Sequence, residues 1–467
     1  MVSSLNSAAL PPLDPGFQPA ARWNRHYRAR VARDRAAREI AIALVRDDAS
    51  VSVHHDRVLS AGHEHHADSL RYVERLVKFL LWQKGGYRVL IAGAPEIAAE
   101  LVRSYQSGGD RAFDAELMGG KIYRRPFAVE PSAFSTLPVA RENDPPLGGS
   151  LDGCRIGFDL GGSDRKAAAL IDGTVVYSEE ISWNPYFQSD PAYHLAGIED
   201  TLARAAAHLP RVDAIGGSAA GTYVRNEVRA GSLFRGVPVA LFEEKVRRMF
   251  IDLQRKWGGV PFEVVNDGEV TALAGAQWLR ANSVLGISMG TSQAAGYVTP
   301  AGTLTPWLNE LAFAPVDYRP DAPADEWSGD RGCGVQYFSQ QAVARLAERA
   351  GFSFEREIGL PERLKLVQEA MERHDPRAAE IYETVGVYLG HALAHCADFY
   401  AIDHALLLGR VTTGEGGARL VARAQQVLQK EYPEIAERIR FHLPPEKERR
   451  HGQAMAAASL PRLRSCA

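Results

Sequence analysis

The feature that most constrains this chain is a stretch it contains twice. Residues 156–174 read IGFDLGGSDRKAAALIDGT and residues 285–303 read LGISMGTSQAAGYVTPAGT, and the two align without a gap at an offset of 129. Gly157 falls on Gly286, Gly161 on Gly290, Ser163 on Ser292, Gly173 on Gly302 and Thr174 on Thr303. Each copy predicts a strand, a turn of small residues, a second strand and a glycine turn into a third. A repeat of this size implies two similar halves rather than a solenoid.

The small-residue turns carry the chemistry. Without Cβ atoms a turn brings backbone N–H groups close to an anion, and small hydroxyl residues add donors. Gly161, Gly162 and Ser163 in the first copy, and Gly290, Thr291 and Ser292 in the second, are therefore candidate phosphate contacts. Two such turns facing across a cleft would hold a polyphosphate from both sides. The copies also differ. Asp159 becomes Ser288, so only the first turn offers a carboxylate for a hydrated Mg²⁺ beside the phosphates. Lys166 occurs only in the first copy and is placed to neutralise phosphate charge.

Three further strand ends fit the same chemistry. VDAIGGSAAGTY ends a strand with Ser218 and Gly221 at its tip, and PFEVV runs into Asn266-Asp267 and then a helix. HALLLGRVTTGEGG gives a strand, a turn with Gly409, Gly414, Gly416 and Gly417, and a helix. In open α/β sheets ligands sit beyond the strand C-termini. Each end taken singly also reads as a turn or a helix cap. Five together point to a site.

These motifs resemble those of the actin–hexokinase–Hsp70 ATPase superfamily and, more narrowly, of the ROK family of bacterial sugar kinases and sugar-responsive repressors. DLGGS (159–163) is similar to the family's first phosphate motif, SMGTS (288–292) to its second, and LLGRVTTGEGG (407–417) to its adenosine motif. Asn266-Asp267 matches the pair that holds the family's catalytic base. The resemblance covers about 155–460. It implies an α/β fold of the duplicated ribonuclease-H-like, actin/hexokinase type, two-lobed, with ATP and Mg²⁺ as cofactors and Asp267 as general base. ROK members usually carry Glu-x-x-His and a CxCGxxGC zinc loop. Here the first is Glu310-Leu311-Ala312-Phe313 and the second is GDRGCGVQYFSQ with Cys333 alone, so no structural zinc is expected. Glu310 and Gln336 remain as hydroxyl ligands for the acceptor, with Asn266, Ser218 and Gly221.

The rest of the chain sets limits. PSAFSTLPVARENDPPLGGSLDG (131–153) is the clearest linker, which predicts an N-terminal α/β accessory region at 1–150 and lobes at 151–280 and 281–467. Residues 1–20 read as a loose Pro-rich tail. Residues 21–39, with seven arginines, read as a helix, either solvated or packed, or as a nucleic-acid arm; the strand-like segments at 40–59 disfavour the arm. His54, His55 and the HEHH run at 63–66 fix no coordination geometry. With 54 basic against 57 acidic residues and a net charge of -3, no polyanionic partner is indicated. Cys154, Cys333, Cys396 and Cys466 are far apart, and no apolar run nears the roughly 20 residues of a membrane span. MVSSLNSAALPPLDPG lacks the pattern of a secretory signal, so a cytoplasmic setting is expected.

The leading expectation is an ATP-dependent kinase for a sugar or polyol hydroxyl, with no nucleic-acid or membrane partner and a homodimer left open. The alternative is a catalytically silent sugar or nucleotide sensor on the same fold. A DNA-binding repressor ranks last. Keeping both Asp159 and Asp267 favours chemistry, because a sensor needs neither a metal carboxylate nor a base.

Overall fold

The computed structural model describes residues 10–143, 146–355, 357–444 and 446–463. The chain divides into two compact units, each assembled from separated segments. One comprises Met1–Asp144, Ile287–Ala294 and Trp307–Leu443; the other comprises Pro145–Gly286, Ala295–Pro306 and Pro444–Ala467. These bounds differ from the expected ones. Residues 1–144 share a unit with 307–443 and do not stand apart, and 444–467 return to the unit of 145–286.

In the first unit β1 (Arg38–Val45), β2 (Val51–Val58), β3 (Arg88–Ala92) and β4 (Ala128–Ser132) form a sheet of order β2-β1-β3-β4. The central run Ile40-Ala41-Ile42-Ala43 is apolar at every position because both of its faces are covered. The arginine-rich segment forms a helix only over Ala20–Val31, shorter than the expected 21–39. Asp34 ends it, accepting hydrogen bonds from the N–H groups of Ala36 and Ser60, and Arg38 already opens β1. Three arginines of that helix are paired, Arg25 with Glu434, Arg28 with Asp398 and Arg30 with Asp68, so it is a packing helix. The expected loose tail is anchored where it is described. Asp14 is 2% exposed and accepts from Arg319 and Arg349, both at 2.8 Å, and from Tyr388 at 2.7 Å. Phe17 packs on the rings of Tyr388 and Tyr337. Residues 1–9 of that tail lie outside the described residues, as does Cys466.

The second unit is built on β5 (Cys154–Leu160), β6 (Asp164–Ile171), β7 (Thr174–Ser182), β8 (Ala214–Ala219) and β11 (Phe262–Asn266), in the order β11-β8-β5-β6-β7. A separate hairpin, β9 (Thr222–Val224) and β10 (Glu227–Ala230), follows β8. β5, β8 and β11 are parallel, while β5-β6-β7 is an antiparallel meander. Asp172 and Gly173 both have positive φ, 46° and 78°, as a two-residue hairpin turn requires. Strand alternation sorts β5 into two faces. Ile156, Phe158 and Leu160 enter the main core with Phe250, Phe262 and Leu202. Arg155 and Gly157 face the segment 454–461 instead. A Cβ on Gly157 would lie 1.8 Å from the carbonyl oxygen of Ala454, and one on Gly216 would lie 1.8 Å from that of Ala457. The helix Glu446–Ala458 therefore lies directly on bare backbone.

The second copy of the repeat gives β12 (Val284–Met289) and β13 (Gln293–Val298), which join β14 (His404–Leu408) and β15 (Arg440–His442) in the order β13-β12-β14-β15. That repeats β6-β5-β8-β11, so the duplication extends to sheet order. The expected third strand after Gly302 is reduced to isolated bridges from Leu304 to Leu147 and Val298. Pro300 and Pro306 flank it and lack the N–H groups a ladder needs. No helix among the described residues is long and apolar enough to cross a membrane.

Candidate active site

In the second unit the parallel strands β5, β8 and β11 end at one edge, and four of the expected site residues stand there. Asp159 is paired laterally with Lys166 on β6 and with Ser218 on β8. Both neighbours hydrogen-bond it: the Ser218 hydroxyl donates to Oδ1 at 2.6 Å and the Lys166 ammonium to Oδ2 at 3.1 Å. Asp159 is 4% exposed. Burial pushes its carboxyl pKa up, against the pull of Lys166 and Ser218. Lys166 also pairs with Asp164 at 3.0 Å, so two carboxylates already neutralise it. The expected free phosphate cation is thus an internal partner. Ser218, expected to touch the acceptor, is fully buried and holds Asp159.

One strand further, Asn266 and Asp267 divide the work at the start of the helix Asp267–Leu279. Asn266 is the N-cap. Its Oδ1 accepts from the Gly268 N–H at 2.7 Å, and its Nδ2 donates to the Gly221 carbonyl at 2.7 Å. Both ends of the Asn266 amide thus make a bond within the fold, and Gly221 (φ 138°) is the turn it ties down. Asp267 is half-buried and accepts from the Gly268 N–H at 3.0 Å and from its own backbone N–H. Desolvation, then the charge of Asp159, push its pKa up to about 6. Tyr223, absent from the sequence reading, also lies in the field of Asp267. Gly268 permits the close crossing that seats this turn, since a Cβ there would come within 2.6 Å of the Ala295 carbonyl oxygen.

The first small-residue turn is held from outside by a segment the sequence did not flag. Gly161 N–H donates to the Asp164 carbonyl at 2.9 Å. The Trp183 indole donates to the Gly161 carbonyl at 2.8 Å, and the Trp183 N–H to the Ser163 carbonyl at 3.1 Å. Gly162 lacks a side chain because the Tyr186 hydroxyl sits 2.0 Å from where its Cβ would be. Among the described residues the N–H groups of Gly162 and Ser163 have no protein acceptor, and Ser163 is exposed. We expect Gly162→Ala to displace Tyr186 and weaken nucleotide binding without unfolding the sheet, which titration of ATP into the variant checks.

The first unit holds the remaining candidates. Gly290 N–H bonds to the Ser292 carbonyl at 2.9 Å, leaving Thr291 and Ser292 exposed at the tip, in parallel with Gly161–Ser163. Of the glycines in 409–417, Gly414 (φ 66°) has open space around it. The other three are packing glycines: Gly409 lies on the Met289 backbone, Gly416 on the Tyr382 ring and Gly417 on the Thr412 carbonyl. Glu310 is half-buried at the start of the turn Leu311–Phe313. Gln336 is 6% exposed and its amide donates to Gln341 Oε1 at 2.7 Å.

Where the sequence suggested a reduced zinc loop, the structure has an ion cluster. Cys333 is fully buried, its thiol 3.5 Å from Asp330. Lys78, also fully buried, bonds Asp330 at 2.7 Å and both oxygens of Asp114 at 2.9 and 2.8 Å. Among the described residues no three His, Cys, Asp or Glu side chains are grouped to hold a metal. His66 of the HEHH run faces Glu96 instead, at 3.7 Å.

No protein-family model and no curated protein matches this sequence. Solved structures do. A ROK hexokinase from Thermus thermophilus superposes with a TM-score of 0.51 at 20% identity, over 66% of this chain and 98% of that one. A ROK family transcriptional regulator, a homologue of the E. coli MLC protein, superposes at 0.51 and 19% identity, over 66% and 78%. The fold is that of the ROK proteins. The likeness is one of fold. A kinase and a regulator both carry the ROK fold, so activity has to be read from the side chains of this chain.

Proposed function

We propose that this chain is an ATP-dependent kinase for a hydroxyl of a sugar or polyol, with Asp267 as the general base. The observation that carries the reading is the pair of carboxylates at the ends of β5 and β11. Asp159 is buried and fully hydrogen-bonded, while Asp267 is half-buried, lightly bonded and poised near neutral pH. Environments that separate two carboxylates in this way assign them different roles. Asp267 takes the proton of the acceptor hydroxyl as its oxygen attacks the γ-phosphorus of ATP. The new O–P bond forms, the bond to the β-phosphate oxygen breaks, and ADP leaves.

Mg²⁺ fits this site as an ion brought in with the phosphates. Both Asp159 oxygens already accept hydrogen bonds, so Asp159 would hold the ion through water, and the ion would neutralise phosphate charge. Gly162 and Ser163 are the proposed nucleotide contacts on the unit that carries Asp159 and Asp267. The sensor reading needs no group with a pKa near 6 at the strand ends, and Asp267 is such a group.

An ATP-consumption screen over sugars and polyols tests the reading, and turnover by none of them overturns it. The pH profile follows from Asp267. Only the ionised carboxylate accepts a proton, so turnover should be level above about pH 6 and fall about tenfold per unit below it. A profile level down to pH 4.5 would remove Asp267 from the chemistry.

A further inference from the structure

Among the described residues of the proposed phosphate turn, no cation is free of a carboxylate partner. Lys166, the one lysine beside it, is shared between Asp159 and Asp164, so these three side chains carry a net negative charge where a polyphosphate would arrive. A neighbouring arginine supplies what is missing. Arg235 is exposed, and among the described residues no carboxylate pairs with it. Its guanidinium lies 4.1 Å over the ring of Tyr186 and 5.2 Å from that of Phe187. Tyr186 is the residue whose hydroxyl fills the space above Gly162.

The two segments are locked together. The ring of buried His194 reaches the carbonyls of both Pro185 and Leu233, at 3.1 and 3.0 Å through Nε2. Phe234, 2% exposed, roots the chain just before Arg235. A Cβ on Gly236 would meet the Gln188 carbonyl oxygen at 2.7 Å, so the backbone after Arg235 lies tight on the loop that carries Tyr186. A side chain fixed at both flanks, stacked on an aromatic ring and left without an anion is preorganised for one.

We infer that Arg235 is the cation of the first phosphate turn, contacting the ATP phosphates that the Gly162 and Ser163 N–H groups receive. This rests on the nucleotide-binding part of the proposed function. The planar guanidinium suits two phosphate oxygens at once, and Tyr186 holds it in place without neutralising it.

The test is binding of ATP and of adenosine to the full chain by calorimetry, for wild type, Arg235→Ala and Arg235→Lys. Arg235→Ala should weaken ATP about ten- to a hundredfold, the usual range for a hydrogen bond to a charged group, and leave adenosine unchanged. Added guanidinium chloride at millimolar levels should restore part of the loss, and Arg235→Lys should fall between. Unchanged ATP affinity in Arg235→Ala, or equal losses for ATP and adenosine, overturns the inference. Wild-type protein that binds ATP but phosphorylates no acceptor would overturn the kinase reading alone, and the ATP-against-adenosine comparison would still decide Arg235. A chain that binds neither ligand overturns both.

Discussion

Asp267→Asn should give a folded protein whose phosphoryl transfer falls by about two to four decades, the range a general base contributes. The structure makes this substitution discriminating. Asn266, not Asp267, caps the helix, so replacing Asp267 leaves the cap and its bond to Gly221 in place. Asparagine can still receive the Gly268 N–H but cannot take a proton. The direction of the stability change is also set. A carboxylate whose folded pKa lies above its unfolded value destabilises the protein at neutral pH, and that burden is relieved as pH falls through about 6. The neutral amide should therefore unfold at the same or a higher temperature than wild type at pH 7. Full turnover in Asp267→Asn would leave the chain as a binding protein. Loss of turnover together with a lowered melting temperature would mean a structural role.

Lys78→Met is expected to have the largest effect on stability. Its ammonium is completely buried and is the partner of Asp114 and Asp330 together, with Trp82 adding a bond to Asp114 at 3.0 Å. Burial opposes ionisation of Asp330, but Lys78 and Arg111 outweigh it and hold that carboxyl well below its usual range. Without the lysine, buried carboxylates lose a counter-charge, a change that typically costs about 3–5 kcal/mol. Urea denaturation of wild type and variant measures it. The double variant Lys78→Met with Asp114→Asn should recover part of the loss, because fewer charges then stay unpaired. A single-variant loss below about 1 kcal/mol would show the cluster to be open to water.

The candidate site was legible in the sequence wherever its residues obey a local rule. Asp159, Gly161 and Ser163 stand out because a strand period breaks into small residues and does so twice. Asp267 stands out because an apolar strand ends in two polar residues and a helix. What stayed hidden depends on partners far along the chain. Gly162 reads as a phosphate glycine, yet the reason for it is Tyr186. Lys166 reads as a phosphate cation, yet its neighbours across the sheet claim it, and lateral neighbours follow from register rather than from sequence spacing. The arginines of the helix Ala20–Val31 leave a solvated helix, a packed one and a nucleic-acid arm all open in the sequence, because their partners Glu434 and Asp398 lie about 400 positions away. Lys78, Asp114 and Asp330 come from three distant segments and make no pattern until folded.

The seat of the helix Glu446–Ala458 on Gly157 and Gly216 sets a schedule for the chain's synthesis. Arg155, on the same face of β5, is fully buried and donates to the carbonyls of Ala458 and Pro461, which are translated 303 and 306 residues later. At about 5–20 residues per second, that interval lasts about 15–60 s. Throughout it the strand that carries Asp159 has been made but its cover has not. The nascent sheet must wait on the ribosome with Arg155 bonded to Asp152 but lacking its two distant carbonyl acceptors, and with a bare glycine surface open to other chains. A holding chaperone has its opportunity in that interval, which closes when the helix Glu446–Ala458 docks.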